Sequence, residues 1–338
     1  MTCQGRSLLA VILGATVWCG LMAQQKTGST IGQFLLIEPS ARLSAMGNAG
    51  AATYDEVLAG YYNPGAWGHL AGSDAQVTHS AWLADIAFDY AAVGVRLGES
   101  SILAITVASL NSGEIPVRTV QQPGGTGEHY SATSMALGIG YAIRVTDRFS
   151  AGMHVRHIQE TIWHSSLTAF SMDVGTLYRL SADGLHIGAS LSNFGTRARY
   201  NGTDLRIRYD NDPSVHGDNS NLPAEVFTEE FSLPILFRVG LSYPFLQTSQ
   251  HRLLITADAL HPSDNTESLS FGAEWTFAGL VAVRGGYQQL FKRDSEVGLT
   301  FGGGITYEIF GSVLHVDYAW ADYGRLLDTQ RLSVGFQF

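Results

Sequence analysis

The C-terminal segment constrains the fold most strongly, because it alternates polar and apolar residues without a break up to the final residue. Residues 331–338 read Arg-Leu-Ser-Val-Gly-Phe-Gln-Phe. Successive side chains of a strand point to opposite faces, so this segment has one apolar face and one polar face. A chain that ends within such a strand predicts a sheet that closes on itself, since a closed sheet leaves no free edge.

The same alternation recurs from about residue 73 onward. In residues 297–309 the odd positions are apolar apart from Gly303, while the even positions are Gly, Thr or Glu. With 38 Gly, 16 Phe, 14 Tyr and only 15% charged residues, the chain favours an all-β fold. Strands of a soluble β-sandwich show the same alternation of polar and apolar residues. Strands of about 9 to 11 residues with aromatic residues near their ends favour a transmembrane antiparallel outer-membrane β-barrel. The end aromatics are Tyr141, Tyr178, Tyr243, Trp275, Phe277, Tyr287 and Phe310.

The pattern predicts about fourteen strands, an even number as expected for a bacterial outer-membrane barrel. Connections after even-numbered strands are mostly short, and the two longest, 112–129 and 196–230, follow odd-numbered strands. This asymmetry predicts short periplasmic turns and long outer loops. The predicted strands lie near 74–82, 86–97, 101–111, 130–144, 148–160, 167–180, 184–195, 231–245, 251–260, 267–277, 280–290, 296–310, 312–321 and 329–338.

The N-terminus predicts export. Residues 8–18 form an apolar stretch shorter than the roughly 20 residues of a membrane-spanning helix. We interpret residues 1–23 as a cleaved signal peptide, with cleavage after Ala23. A lipoprotein signal at Cys19 is disfavoured, because the bulky Trp18 precedes it. Cys3 and Cys19 are the two cysteines, so the mature chain is expected to contain no thiol.

Residues 24–72 do not follow the strand pattern and are rich in small residues and turn formers. They contain Ala45-Met46-Gly47 and, further on, Asn63-Pro64. This pair of motifs resembles the N-terminal signature of PorV/PorQ-type outer-membrane proteins, relatives of the FadL transporters. Gly65 departs from the family, which usually has Ala there. Weaker resemblances lie at 191–195, 271–274, 284–287 and 317–319.

The resemblance implies a fourteen-stranded FadL-type barrel over residues 73–338, with residues 24–72 folded into the lumen as a hatch or plug. The hatch motif, Ala45, Met46, Gly47, Asn63 and Pro64, is interpreted first as packing and turn structure, and a gating role would require it to move. We interpret Phe336 and Phe338 as the signal that the barrel-assembly machinery reads, since outer-membrane barrels commonly end in this way. Outer-membrane lipid is the expected surrounding.

Charged residues at inward positions are the candidates for function. Opposite charges there can pair and hold a plug, which we favour, or they can line a solute path. The net charge of −10 argues against a nucleic-acid partner. The matches to a phosphate loop and a calcium loop are incomplete, and the sequence contains no Gly-x-Ser-x-Gly nucleophile elbow, so we expect no enzyme activity, metal or cofactor. The inward charges are Arg96, Arg144, Arg156, Asp173, Arg179, Arg238, Asp258, Glu274, Arg284, Glu308 and Asp317.

Two functions remain open. The resemblance to PorV implies a component of type IX protein secretion or surface attachment that binds the C-terminal domains of secreted cargo through its outer loops. The 196–230 loop, which ends in Glu225, Glu229 and Glu230, is either a solvated acidic loop or such a docking surface. The alternative is a FadL-like channel in which hydrophobic small molecules enter a lumen pocket and leave through a kinked strand.

Overall fold

The computed structural model describes residues 28–181, 184–212, 214, 221–292 and 295–338. The predicted signal segment, 1–23, lies outside this range. Fourteen strands form one antiparallel barrel. They are β1 Asp74–Ala81, β2 Ala87–Leu97, β3 Ser101–Asn111, β4 Ala132–Arg144, β5 Phe149–Ile162, β6 Ser165–Arg179, β7 His186–Gly195, β8 Leu236–Gln247, β9 His251–Pro262, β10 Ser268–Phe277, β11 Val281–Leu290, β12 Leu299–Ile309, β13 Ser312–Asp322 and β14 Asp328–Gln337.

The barrel closes through the C-terminal strand. β14 pairs with β1 from Asp74 opposite Gln337 to Ala81 opposite Gln330. Beyond the strand, Phe338 N donates to Ser73 O at 2.8 Å, and Ser73 N donates to Phe338 O at 3.0 Å. The predicted fold class, a closed antiparallel barrel of fourteen strands, is confirmed.

The two ends of the barrel differ as predicted. Connections of two to six residues, including 98–100 and 278–280, lie at one end, which we call the inner mouth. The long connections lie at the other end, the outer mouth, and two of them contain small hairpins. The paired segments of these hairpins are Ile115–Pro116 with His129–Tyr130 and Arg206–Tyr209 with Leu222–Glu225.

Strand β8 begins at Leu236, five residues later than the sequence pattern predicts. Ser232 instead pairs with Thr30 in a parallel bridge, and its carbonyl accepts from Ile31 N at 3.0 Å. Pro234 has no N–H to offer a neighbouring strand. The register also shifts inside the sheet at 172/174, 244/246 and 269/271.

Residues 28–72 form short helical pieces and turns before the first strand. The helices are α1 Ala41–Ala45 and α2 Ala59–Tyr62, and the 3-10 segments are Gln33–Leu36 and Pro64–His69. Among the described residues, no helix is long and apolar enough to cross a membrane.

The outer wall carries the apolar side chains of the alternating strands. Ile105, Ile139 and Phe301 are all exposed, whereas inward neighbours such as Ala104 and Ala142 are buried. An apolar outer band is the surface that a hydrocarbon layer covers in a membrane barrel.

We predict that Ile139→Arg lowers the free energy of unfolding in lipid by about 2–4 kcal/mol, since position 139 lies in the middle of β4 and faces outward. Ile139 is 64% exposed. The control is Val120→Arg, because Val120 is 96% exposed but lies in an outer loop. Denaturant unfolding in vesicles measures both, and equal effects of the two variants would contradict a lipid-facing wall.

Candidate functional site

The N-terminal segment, residues 28–72, runs from one mouth of the barrel to the other. At the outer mouth, Thr30 Oγ1 donates to Asp264 Oδ2 at 2.7 Å and Gln33 Nε2 donates to the same oxygen at 2.8 Å. At the inner mouth, Arg96 Nη1 donates to Ala71 O at 2.5 Å, just before β1 begins. Most residues between these ends are buried.

Four backbone amides of the segment donate to side chains of the barrel wall. Three of these bonds join residues more than 200 positions apart and so depend on the complete barrel, while Val57 and Asp74 are 17 positions apart. The pairs are Ala41 N to Ser333 Oγ at 3.0 Å, Gly47 N to Thr300 Oγ1 at 3.0 Å, Ala51 N to Asp258 Oδ2 at 2.9 Å and Val57 N to Asp74 Oδ2 at 2.7 Å. Gly47 N also donates to Ser44 O at 3.2 Å, whereas for Ala41, Ala51 and Val57 the wall satisfies donors that the segment itself leaves unpaired.

The Ala45-Met46-Gly47 motif ends α1 against the wall. Gly47 has φ +65°, and a Cβ there would lie 2.7 Å from Tyr287 O. Only glycine fits, because both the backbone conformation and the space exclude a side chain. Thr300 Oγ1 also donates to Ala45 O at 3.0 Å, so one hydroxyl binds both ends of the motif.

Asn63 of the Asn63-Pro64 motif connects three parts of the structure. Its Nδ2 donates to Ala51 O at 2.7 Å and to Thr176 O of β6 at 2.9 Å, while its Oδ1 accepts from Gly65 N at 2.9 Å. Pro64 follows at the first position of a 3-10 helix, where no N–H is required. The structure therefore gives these motif residues contacts with the wall; a gating role remains a prediction.

Inward-facing glycines let the segment approach the wall, and our sequence interpretation missed them as a set. These glycines face the segment itself. A Cβ on any of them would overlap or crowd an atom of residues 45–67. Their recurrence at inward strand positions was the available signal. They are Gly140, Gly152, Gly175, Gly188, Gly240, Gly272, Gly286 and Gly302.

The departure at Gly65 has a steric explanation. A Cβ at this position would lie 2.8 Å from Thr176 Cα and 2.9 Å from Gly175 O. Both atoms belong to the backbone of β6, which cannot move aside cheaply. Glycine in place of the usual Ala thus allows close packing of this segment on β6.

Arg42 of α1 forms the main ionic contact between the segment and the wall. Its Nε and Nη2 donate to the two oxygens of Glu274 at 2.7 and 2.8 Å. Arg284 Nε donates to Glu274 at 2.7 Å, and Arg284 Nη1 donates to Asp317 at 2.5 Å. Arg42 also pairs with Asp55 at 3.2 Å. All these guanidinium groups have carboxylate partners, the condition under which charges are found buried.

A second ionic group fills the register shift between β6 and β7. Asp173 Oδ1 accepts from Asn193 N at 2.7 Å and from Arg156 Nη2 at 2.6 Å. Arg156 Nη2 also donates to Asn193 Oδ1 at 2.6 Å. The extra residue of the bulge is thereby held by side chains from inside the barrel.

A third group links Arg238 to the segment. Its Nη2 donates to Glu38 Oε1 at 2.5 Å, and its Nη1 lies 3.9 Å from Asp258 Oδ2. The Arg238 guanidinium also stacks on the Tyr62 ring at 5.0 Å.

Four predicted inward charges lie near the inner mouth instead of the barrel centre. Arg96 and Arg144 both donate to Glu99 O, at 2.9 and 2.8 Å. Arg179 stacks on the Tyr54 ring at 5.1 Å, and Glu308 is exposed next to the β12–β13 turn. At the C-terminus, the Phe336 and Phe338 rings stack with centroids 5.9 Å apart and are exposed. Their role in assembly remains a prediction.

Cavities lie at both ends of the lumen. The inner-mouth cavity, of about 290 Å³, is bordered by charged groups including Asp55, Glu56 and Arg252. The outer-mouth cavity, of about 340 Å³, has mainly apolar walls that include Leu36, Trp82 and Leu110.

A closed antiparallel barrel with an apolar outer band, short turns at one mouth and long loops at the other defines an outer-membrane protein. The family comparison is more specific. Residues 21–256 match the family described as Type IX secretion system protein PorV, and the chain belongs to this family.

Solved structures of FadL-type transporters share the fold. The chain matches the CymD monoaromatic hydrocarbon channel at 13% identity and a TM-score of 0.55, over 90% of this chain and 98% of that one. It matches the Pseudomonas putida toluene transporter TodX at 12% identity and a TM-score of 0.54, over 89% of this chain and 97% of that one. The match to the Ralstonia pickettii toluene transporter TbuX has 13% identity and a TM-score of 0.52, over 89% of this chain and 97% of that one. No curated protein sequence matches the chain.

We predict that Gly188→Ala loosens the N-terminal segment, because the new methyl group would overlap Ala51 O. Overpacking of this kind costs about 1–3 kcal/mol. The matched control is Gly285→Ala, whose Cβ would lie 3.8 Å from the nearest atom, in the Phe301 ring. Maleimide labelling of Ala49→Cys, with Cys3 and Cys19 absent, reports exposure of the segment. Gly188→Ala should label several-fold faster than Gly285→Ala, and equal rates would contradict the close contact.

Burial raises the pKa of the Glu56 carboxyl to about 7, against an ordinary 4.5, although Arg42 opposes this shift. The folded state therefore binds the proton more tightly than the unfolded state does. The stabilising effect of the proton on Glu56 is complete below about pH 4.5 and is lost as the pH rises through about 7.

We predict that Glu56→Gln flattens this pH dependence. At pH 8 the variant should have a higher melting temperature, by about 2–4 °C for each kcal/mol of unfolding free energy that ionisation of Glu56 had removed. At pH 5 the variant and the parent should melt at similar temperatures. Thermal melts from pH 5 to 8 test this, with the exposed Glu225→Gln as control. Parallel profiles for Glu56→Gln and the parent would show that Glu56 is not the titrating group.

Proposed function

We propose that this protein is an outer-membrane component of type IX secretion that receives secreted proteins at its outer mouth, with the N-terminal segment as a fixed plug. The observation that carries the proposal is the family match, which includes the whole segment and both long outer loops. The role is one of binding and not of catalysis. Export would use the signal peptide predicted in residues 1–23.

The contacts of the segment support a plug that stays in place. Passage of a solute through the lumen would require the Arg42–Glu274 and Arg238–Glu38 pairs to separate. Leaving one member of a buried pair without its partner costs about 3–5 kcal/mol. A filled lumen suits a protein that presents a binding surface outside the cell.

The outer loops offer a surface of suitable chemistry for a protein partner. In the loop between β7 and β8, Phe227 is 75% exposed, and Val226 beside it is exposed as well. Arg199 stacks on the Phe227 ring at 5.3 Å. Exposed aromatic and aliphatic side chains with a charged rim are typical of protein-binding patches.

The second candidate is a channel for hydrophobic small molecules, which the apolar outer-mouth cavity and the transporter fold favour. The register shift at Asp173 would be the lateral exit in such a channel. Arg156 and Asn193 fill that shift from inside. We therefore rank the secretion role first.

A pull-down of the tagged barrel from native outer membranes tests the proposal, with bound proteins and extracted lipids both identified by mass spectrometry. We predict recovery of secreted proteins that share a C-terminal β-domain, and a several-fold loss of them with the double variant Val226→Ser, Phe227→Ser. The control is Val120→Ser in the other long loop. Recovery of fatty acids or other apolar solutes without protein partners would contradict the secretion role and favour the channel.

A further inference from the structure

The outer-mouth cavity of about 340 Å³ combines apolar walls with a buried positive charge. Leu36 comes from the N-terminal segment, while Trp82 and Leu110 follow or end strands of the wall. Arg331 of β14 and Gln288 of β11 border the same cavity. An apolar pocket with a few polar groups on one side is the usual form of a site for an amphipathic ligand.

Arg331 is 1% exposed, and no described carboxylate pairs with it. Its Nη1 donates to Ser44 Oγ at 2.7 Å, and its guanidinium stacks on the Trp82 ring at 5.0 Å. Its Nε has no hydrogen-bond partner among the described residues. Glu38 borders the cavity too, but its carboxylate accepts from Arg238.

The other buried arginines of the described chain differ from Arg331 in this respect. Each has at least one carboxylate within 3 Å, and they are Arg42, Arg156, Arg238 and Arg284. A buried charge without a counter-ion is costly. Arg331 has only neutral partners, among them Ser44, Thr329 and Tyr323, and lacks the carboxylate that each of the other four has.

Gln288 provides an independent observation. Its Oε1 accepts from Asn48 Nδ2 at 2.9 Å, while its buried Nε2 has no partner among the described residues. The unpartnered atoms of Gln288 and Arg331 are both donors. A ligand that completes both must present acceptors, and a carboxylate has two oxygens that can each accept hydrogen bonds.

We propose that this cavity binds the C-terminal carboxylate of a polypeptide, with Arg331 and Gln288 donating to it and its last apolar side chain packed between Leu36, Trp82 and Leu110. At the cavity border, Gln33 Nε2 donates to Asp264 and Gln289 Oε1 accepts from Lys292, so the other amide atoms, Gln33 Oε1 and Gln289 Nε2, are the ones that can bond to peptide groups, which a hydrocarbon tail would not use. The inference rests on the proposed function for the identity of the occupant, a protein arriving at the outer mouth.

Binding of acetyl-Ala-Val-Leu to the purified barrel, as the free acid and as the carboxamide, tests the site. We expect the carboxamide to bind at least about tenfold more weakly, as for the loss of a charge-assisted hydrogen bond. Arg331→Met and Gln288→Met should each weaken binding of the free acid and leave the carboxamide nearly unchanged. Arg325→Gln, which removes an exposed charge in the neighbouring loop, is the control. Heat-dependent gel mobility confirms that each barrel is folded.

Equal affinity for acid and amide, or unchanged binding by both folded variants, would overturn the site. Binding of dodecanoate but of neither peptide would show a small-molecule anion site and overturn the polypeptide occupant. The pull-down separates this inference from the proposed function. Secreted proteins recovered equally with the parent and Arg331→Met would leave the secretion role standing without this site, whereas their absence from both would remove the secretion role itself.

Discussion

The size of the lumen is the constraint on which the rest of this structure depends. Eight strands enclose an interior that side chains can fill, whereas larger barrels enclose cavities or channels unless another element occupies them. Here residues 28–72 of the same chain are mostly buried and form hydrogen bonds and ion pairs with side chains of the fourteen strands, and we propose that they fill the lumen. The bidentate pair between Arg42 and Glu274 joins this segment to the wall across 232 positions of sequence.

Segment and wall match each other in both shape and charge. Inward glycines such as Gly188 and Gly286 leave space for the segment backbone. Wall side chains such as Asp258 and Thr300 accept hydrogen bonds from its backbone amides. The wall thus specifies one position for the segment, because shifting it by a residue would misplace glycines and acceptors together. This complementarity explains how a glycine-rich wall can enclose a well-packed interior.

The sequence predicts the wall better than it predicts the interior. Strand periodicity depends on neighbouring residues, so β1, β3 and β14 lie within a residue of their predicted bounds. The predicted start of β8, at residue 231, was wrong, because Ser232 pairs with Thr30 and the local sequence carries no signal for that contact. The pairing of Arg42 with Glu274 was equally inaccessible, since the strand pattern fixes which way a residue points but not what it meets across the lumen. The inward glycines could have been found by reading their recurrence on one face.

Our central proposal is that the N-terminal segment is a fixed plug in the barrel interior. Hydrogen–deuterium exchange of the protein in lipid nanodiscs tests it most directly at Gly47, Ala51 and Val57, whose amides donate to wall side chains. The account predicts that these amides exchange as slowly as those of the strands. Exchange as fast as in the outer loops, with the strands still protected, would contradict it.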